Sequence, residues 1–436
     1  MKNRKRKISG KIAACFILFA VIWPAFPSRA EKIEFPRIHG FLEEAFGPRF
    51  GSSDARHRQY DLWEARFQLK SDYYFAGDNL LSRWQAGIDA KCDFILDMYD
   101  AGKVITDLRE LKLSFTPMDI MDIKAGRQVL TWGTGDYLFL NDLFPKDYVS
   151  FFIGRDDEYL KMPNDALRVM LYPEWFNADL VLIPVFEPNS LPDGHRLSYF
   201  DTFQGRIAGV TAERDLLHPS DKPKNMVYAS RVYRSFGSYE GAFYYYRGFD
   251  PSPRSYKNEM ARQLYYERLD AYGASVRGPI LGGIGSAEVS YYYSPEDRNG
   301  DIRTIQNSMM RYLLGYEKDL GNDLRVGFQY YVEQTLDYAE YKRSLLPMDY
   351  RWDEFRHVLT NRITKSFANQ TVRATIFTFF SPNDLDAYIR PVLSWNATDA
   401  WTLSIGADLM WGKDSWTEFG SAQKNKNVYV RLRYSF

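Results

Sequence analysis

A run of acidic residues could bind a cation. Asp156, Asp157 and Glu158 are consecutive, and clustered carboxylate oxygens are the ligands that hard cations such as Ca²⁺ prefer. Arg155 and Lys161 lie beside them, so these acids have basic partners within reach. We therefore expect salt bridges at this position, and a calcium site is the alternative interpretation.

The histidines give little indication of catalysis. The chain has five, and no two of them have the spacing of metal ligands. No motif places a serine nucleophile beside a histidine. His357 is the one candidate, but a histidine on the face of a strand, without a catalytic role, is the favoured interpretation. We therefore predict that the protein is not an enzyme, and no motif implies a cofactor. The five are His39, His57, His195, His218 and His357.

Alternating apolar and polar residues indicate β-strands with one apolar and one wet face. Soluble sheets also alternate, but these stretches exceed the ~5–6 residues usual in them. They match instead the ~9–11 residues that a tilted membrane strand requires. The clearest examples are residues 84–94, 324–333, 401–411 and 428–436.

Aromatic residues mark the ends of these stretches. Trp401 and Trp411 lie on one face of the same predicted strand. Along the membrane normal they would be roughly 25 Å apart, which is the height of the apolar band between two aromatic girdles. The pattern therefore predicts strands that cross a bilayer.

The connections between predicted strands alternate between short and long. This pattern is typical of a barrel with short periplasmic turns and long extracellular loops. We predict an all-β fold, a single transmembrane antiparallel β-barrel of about eighteen strands, over residues 31–436. Sixteen strands is the alternative, because the segment 203–212 has no clear place.

The first thirty residues have the three parts of a secretion signal. A basic start without acids precedes the apolar run 12–23, and Ser28-Arg29-Ala30 forms a small-x-small cleavage site. Without residues 1–30 the chain has a formal charge of about −7, which argues against a nucleic-acid binder. Cys92 then remains as the only cysteine, so no intrachain disulfide is possible.

Two segments resemble known outer-membrane proteins. The last strand ends in Tyr-Ser-Phe and resembles the terminal signature that the barrel-assembly machinery reads in Gram-negative bacteria, which makes Phe436 the expected assembly signal. Residues 126–133, Gly-Arg-Gln-Val-Leu-Thr-Trp-Gly, resemble the Gly-Arg-Gln-x-x-x-Trp-Gly segment of large proteobacterial porin-like barrels. Alginate-export-type porins are among these, so the resemblance implies a pore.

Arg127 interrupts the alternation of its strand. Because alternate side chains of a strand face opposite sides of the sheet, the side chain of Arg127 would face lipid. A charge there costs ~2–4 kcal/mol at the midplane and ~0–1 kcal/mol near the interface. Either Arg127 lies at the rim, or Gly126 forms a bulge that turns it inward. We favour the bulge, with Arg127 paired to one of four acids of the following loop, Asp136, Asp142, Asp156 or Asp157.

The segment 131–165 is too long for a simple hairpin loop. It combines acids with aromatic residues that need a place to bury. We expect it to fold into the pore and narrow it, and an extracellular cap is the alternative. The predicted constriction residues are Arg127, Gln128, Trp132, Asp136, Asp142, Arg155, Asp156 and Asp157.

The predicted lumen face carries both signs of charge, so it gives no prediction of ion selectivity. Its clearest members are Asp89, Lys91, Asp93, Arg431 and Arg433. The function expected is diffusion or export of a hydrophilic solute, with outer-membrane lipid and the assembly machinery as further partners. The alternatives are a scaffold or sheath of an envelope complex and a barrel enzyme.

Overall fold

The computed structural model describes residues 37–51, 53–212, 215–260 and 262–436. The predicted signal peptide at 1–30 lies outside the described residues and stays a prediction. Among the described residues, no helix is long and apolar enough to cross a membrane.

Eighteen antiparallel strands form one closed sheet, which confirms the predicted count and excludes sixteen. Each strand pairs with its neighbours in the sequence. In chain order they are β1 Arg37–Pro48, β2 Tyr60–Tyr74, β3 Gly87–Asp97, β4 Lys103–Met118, β5 Met121–Val129, β6 Pro163–Leu171, β7 Asn177–Ile183, β8 Val227–Phe236, β9 Tyr239–Phe249, β10 Arg268–Ile280, β11 Gly283–Tyr293, β12 Met309–Asp319, β13 Leu324–Thr335, β14 Phe355–Phe367, β15 Val372–Ser381, β16 Asp386–Asn396, β17 Trp401–Gly412 and β18 Asn427–Ser435.

The first and last strands close the barrel. The register runs from Phe41 opposite Ser435 to Phe46 opposite Val430. Gly40 and Phe436 also exchange two backbone hydrogen bonds, of 3.1 and 3.0 Å. Closure satisfies the backbone groups that an open sheet edge would leave unpaired.

The two faces of the sheet follow the predicted alternation. On β17, Trp401, Ile405 and Trp411 point outward and are 43%, 46% and 41% exposed. On β18, Tyr429 and Arg431 point inward and are 2% and 9% exposed. An apolar outer surface around a polar interior is the arrangement of barrels that stand in lipid.

The connections differ between the two ends of the barrel. At one end, here called the turn end, most are tight turns such as 237–238 and 281–282. At the other end, the loop end, several connections are long. The segment 203–212 belongs to one of these, 184–226, and includes part of a two-stranded sheet made by Tyr199–Asp201 and Arg206–Ala208.

Within the described part of the chain, the connections also contain a second small sheet and four short α-helices. The sheet contains Asp215–Leu217, Ser255–Asn258 and Gln263–Tyr265. The helices are Leu80–Arg83, Tyr148–Phe152, Tyr338–Ser344 and Glu418–Ser421.

Candidate functional site: the infolded segment and the lumen wall

The connection between β5 and β6, residues 130–162, packs against inward-facing side chains of the barrel. We call it the infolded segment. It contains the short helix Tyr148–Phe152 and the 3₁₀ turn Asp157–Leu160. Because its side chains contact strands on several sides of the interior, the segment lies across the lumen.

Apolar packing places this segment. Leu140, Phe151 and Leu160 are 1%, 5% and 2% exposed and join one cluster with inward residues of the wall. Burial of each such side chain stabilises the fold by about 1.5–3 kcal/mol. The wall residues of this cluster are Leu313, Tyr331, Val358, Phe377, Phe379, Tyr388 and Met410.

Two arginines of the wall bind acids of the segment on the β14–β16 side. Arg362 on β14 donates to both carboxylate oxygens of Asp136, at 2.5 and 2.8 Å. Arg390 on β16 donates to Asp157 at 3.1 Å and to Asp408 on β17 at 3.2 Å. A planar guanidinium suits these paired contacts because its donors form a fixed fork.

Asp156 is bound by the last strand. Arg431 and Arg433 donate to its Oδ2 at 3.0 and 3.3 Å, and Arg433 also donates to Glu43 on β1 at 2.8 Å. Burial alone would raise the pKa of the Asp156 carboxyl, but the two guanidinium groups lower it below its ordinary value. Asp156 is therefore held ionised beside the seam that closes the barrel.

A buried charge network holds the segment on the β2–β3 side. Arg155 and Arg66 both bind Glu64, at 2.6 and 2.8 Å. Arg66 also binds Asp93 at 2.6 Å and stacks on the ring of Tyr159 at 3.9 Å. Each charge has an opposite partner, which buried ions require to offset the loss of water.

Hydrogen bonds to backbone groups of the segment add to these ion pairs. Glu288 on β11 accepts hydrogen bonds from the backbone N–H groups of Thr134 and Asn141, at 2.7 and 3.0 Å. Gln329 on β13 accepts from Asp136 N–H at 2.8 Å and donates to Asp136 C=O at 3.0 Å. The wall thus satisfies backbone groups that no secondary structure pairs.

The remaining predicted residues lie around the start of the segment. Trp132 is buried and donates to Asp179 at 3.2 Å. Asp142 accepts from Lys146 at 2.9 Å and from Thr131 at 2.8 Å, which stabilises the segment internally. Gln128 is buried on the inward face of β5 and donates to Ala166 C=O at 3.1 Å.

Arg127 does not pair with the acids proposed for it, so this part of the prediction is wrong. The register is unbroken at Gly126, which lies opposite Lys112 and Ala166, so no bulge reverses the parity. Arg127 therefore stays on the outward face, opposite Asp165, to which it donates at 3.3 Å. Gly126 has φ +123°, and a Cβ there would lie 2.3 Å from Leu111 O, which accounts for the glycine.

The three consecutive acids bind four different basic residues. Asp156 binds Arg431 and Arg433, and Asp157 binds Arg390. The carboxylate of Glu158 binds Lys91 at 2.6 Å. The salt-bridge interpretation therefore describes this run, since the carboxylates point to separate parts of the wall.

His357 lies on β14 beside an aromatic residue. Its Nδ1 is 2.7 Å from the hydroxyl of Tyr330, and the two rings stack. His57 and His195 lie in loop-end connections, where they contact Tyr99 C=O and Asp100.

Four wall residues of the site were missed by the sequence reading, namely Glu288, Gln329, Arg362 and Arg390. Each is a polar residue on the inward face of an alternating strand. Parity alone could have placed all four in the lumen. It could not have shown which of them the infolded segment reaches.

Part of the charged lining stays accessible to water inside the barrel. The side chains of Asp136 and Asp157 are 42% and 51% exposed, although both are paired. Asp156 and Glu158 are about one-third exposed. These groups line the wet space that remains beside the infolded segment.

No family model matches the chain, and no curated protein matches it. Several solved structures share its fold. OccAB4 of Acinetobacter baumannii is 12% identical, with a TM-score of 0.53 over 92% of this chain and 97% of that one. OccK11 of Pseudomonas aeruginosa is 10% identical, with a TM-score of 0.52 over 92% and 96% of the two chains. At these identities the likeness is one of fold.

Proposed function

We propose that the chain is an outer-membrane channel for diffusion of a hydrophilic solute, narrowed by the infolded segment. The observation that carries this proposal is the water-accessible charged lining beside a segment fixed across the lumen. The apolar outer belt supports a place in the membrane, and the fold shared with OccAB4 and OccK11 agrees with it.

The rival functions have less support. A sheath around another polypeptide needs an empty lumen, whereas here the chain's own segment and three apolar clusters occupy much of the interior. A barrel enzyme would need a nucleophile or an acid–base pair, and the contact of His357 with Tyr330 provides neither. We therefore favour passage of solute over both.

Several sequence expectations belong to this proposal. A signal peptide at 1–30, removed by cleavage after Ala30, would direct the chain to the envelope, and Phe436 would be read by the assembly machinery. The segment 126–133 resembles that of alginate-export-type porins, which makes acidic saccharides one class of solute to test. The predicted constriction residues other than Arg127 remain candidates for the narrowest point.

The direct test is conductance and liposome swelling with the purified mature protein. Sugars, amino acids and acidic polymers of increasing size would locate the size limit. A double variant, Asp136→Ala with Asp157→Ala, removes the segment's ion pairs with Arg362 and Arg390 and is expected to raise both conductance and size limit. Heat-modifiable gel mobility would verify folding. A folded wild-type protein without conductance or swelling would refute the channel.

A further inference from the structure

One acidic residue lies in the apolar outer belt. On β1, Glu44 alternates with Leu42 and Phe46, which are 52% and 39% exposed, so its carboxylate also points outward. Its neighbour across the seam is Leu432, again an outward apolar residue. Glu44 is exposed and makes no hydrogen bond or ion pair with any described residue. Ionisable groups inside a membrane are costly and usually have a partner.

A second polar position lies on the same side of the barrel. Asn361 on β14 is directly opposite Thr378 on β15, and the next outward pair is Ile363 with Ile376. Both Asn361 and Thr378 are half-buried. Within the described part of the chain, neither side chain has a hydrogen-bond partner. Their donors therefore face the apolar belt unsatisfied, which costs free energy.

An apolar groove of about 280 Å³ lies on the strands between the two polar positions, toward the turn end. It is on the outward face of β15–β17, so β18 alone separates it from Glu44 on β1. The groove and the two polar positions together occupy six consecutive strands of the closed sheet, β14 to β18 and β1. The groove is lined by Val372, Leu393, Trp395, Leu403 and Ile405.

Glu44 and Asn361 lie at similar depth. Cross-strand partners connect Glu44 on β1 through β18, β17, β16 and β15 to Phe367. Phe367 is the last residue of β14, at the turn end, so this row of partners descends toward the turn end. With strands ~4.8 Å apart and a tilt near ~40°, five strand steps descend by roughly 15 Å. Asn361 is about six residues above Phe367, which at ~3.3 Å per residue and the same tilt restores roughly 15 Å.

We propose that this face, from β14 through β18 to β1, is a lateral contact surface for a second copy of this chain in the membrane. In the contact, Glu44 of one copy accepts hydrogen bonds from the amide of Asn361 and the hydroxyl of Thr378 of the next copy. The acceptor and the donors are complementary, lie at one depth and flank one apolar groove. A second copy therefore supplies what each polar group lacks, and polar side chains are known to join membrane segments in this way.

The test is disulfide trapping in native outer membranes, in a Cys92→Ser background. Leu432→Cys and Ile376→Cys place thiols beside Glu44 and Thr378 while keeping the proposed hydrogen-bonding groups. We expect an intermolecular disulfide in this pair, and none in the control pair Leu432→Cys with Leu180→Cys, since Leu180 points outward on β7. Adding Glu44→Ala should lower the yield at least several-fold, whereas Leu42→Ala should not.

Three outcomes would overturn the proposal. These are equal disulfide yields in the two pairs, a yield unaffected by Glu44→Ala, and trapping of a different protein in place of a second copy. Conductance of the same variants separates this proposal from the channel, because loss of the contact should leave an individual pore conducting.

Discussion

Two of the long connections at the loop end of the barrel are held in different ways. The infolded segment, 130–162, is held by charged side chains of the strands. The other, 184–226, which we call the cap segment, is held mainly by hydrogen bonds of its backbone to neighbouring connections, and its Arg196 adds a buried ion pair with Asp97 on β3. For example, Asn425 donates to Ser198 C=O at 2.7 Å and accepts from Ser198 N–H at 2.9 Å. Val210 N–H donates to Asp54 C=O at 3.2 Å.

The difference shows what directs a loop into a lumen. The infolded segment combines acids with large apolar side chains, and the inward faces of β13–β18 present arginines beside aromatic rings. Arg390 illustrates this, since it binds Asp157 and also stacks on the ring of Phe151 at 4.0 Å. The cap segment adds Leu197 to a cluster with Ile153 and Tyr429, and it forms a smaller cluster of its own, Tyr199 with Ala208 and Ala212. Length alone therefore does not decide where a connection goes.

The largest effect is expected for Arg390→Ala. Arg390 and Asp408 are almost fully buried, so removal of the guanidinium leaves Asp408 without its cation. Breaking a buried ion pair in this way costs about 3–5 kcal/mol. Urea unfolding in detergent micelles would measure the loss. Arg343→Ala removes an exposed pair with Glu340 and serves as the control, with little change expected. Equal losses in the two variants would mean that the wall does not hold the segment.

Glu288→Ala should loosen the infolded segment with a smaller loss of stability. The variant leaves the N–H groups of Thr134 and Asn141 without an acceptor, and an unsatisfied buried group costs about 1–3 kcal/mol. Single-channel recordings should show more current noise at higher mean conductance. Glu317→Ala, which removes an exposed carboxylate at the turn end, should leave the recordings unchanged. Unchanged current noise and conductance in Glu288→Ala would argue against Glu288 as a residue that holds the infolded segment.

Asn425→Ala should affect the cap segment alone. Each hydrogen bond lost to Ser198 contributes about 0.5–1.5 kcal/mol, so the cap should open more often. Limited proteolysis of intact membranes is expected to cut faster within 184–226, while conductance stays the same. Gln423→Ala, in the same short turn, is the matched control. The two segments share backbone hydrogen bonds between Ser190 and residues 146 and 148. A change of conductance in Asn425→Ala as large as that in Glu288→Ala would therefore mean that opening of the cap segment also loosens the infolded segment.

The smallest effect is expected for Arg127→Ala. Its ion-pair partner Asp165 is 57% exposed, so this pair contributes about 0–1 kcal/mol. The hydrogen bond from Arg127 Nε to Leu108 C=O, at 2.6 Å, contributes about 0.5–1.5 kcal/mol. Stability should therefore fall slightly, and conductance should stay close to that of the wild type. A clear rise in conductance would place Arg127 among the anchors after all.

The strands could be predicted because lipid and water impose opposite demands on alternate residues. Trp401, Ile405 and Trp411 show this, since parity alone assigned them to the outward face. The alternation of outward and inward residues also continues at Arg127, because the register runs through Gly126 without a bulge. The preference for a bulge failed because a charge near the rim costs little, so nothing forces it inward.

The partners of the infolded segment could not be predicted in the same way. Asp136 and Arg362 are 226 residues apart, and alternation says only that Arg362 faces the lumen. The wall residue that meets a given acid depends on the shape of the closed barrel and on how the segment packs. Phe151 and Leu160 fix that packing, and their contacts come from several distant strands.

The closing seam has a consequence for the order of assembly. Arg433 and Glu43, which bind across it, are separated by 390 residues, and contacts between such distant residues form slowly because a long loop must close first. The infolded segment connects the two ends of the chain, since Arg155 binds Glu64 on the second strand while Asp156 binds Arg431 on the last strand. In a partly assembled barrel that already holds the segment, the carboxylate of Asp156 would be in place to bind the final strand. The segment would then act as a template for closure before it acts as a part of the pore.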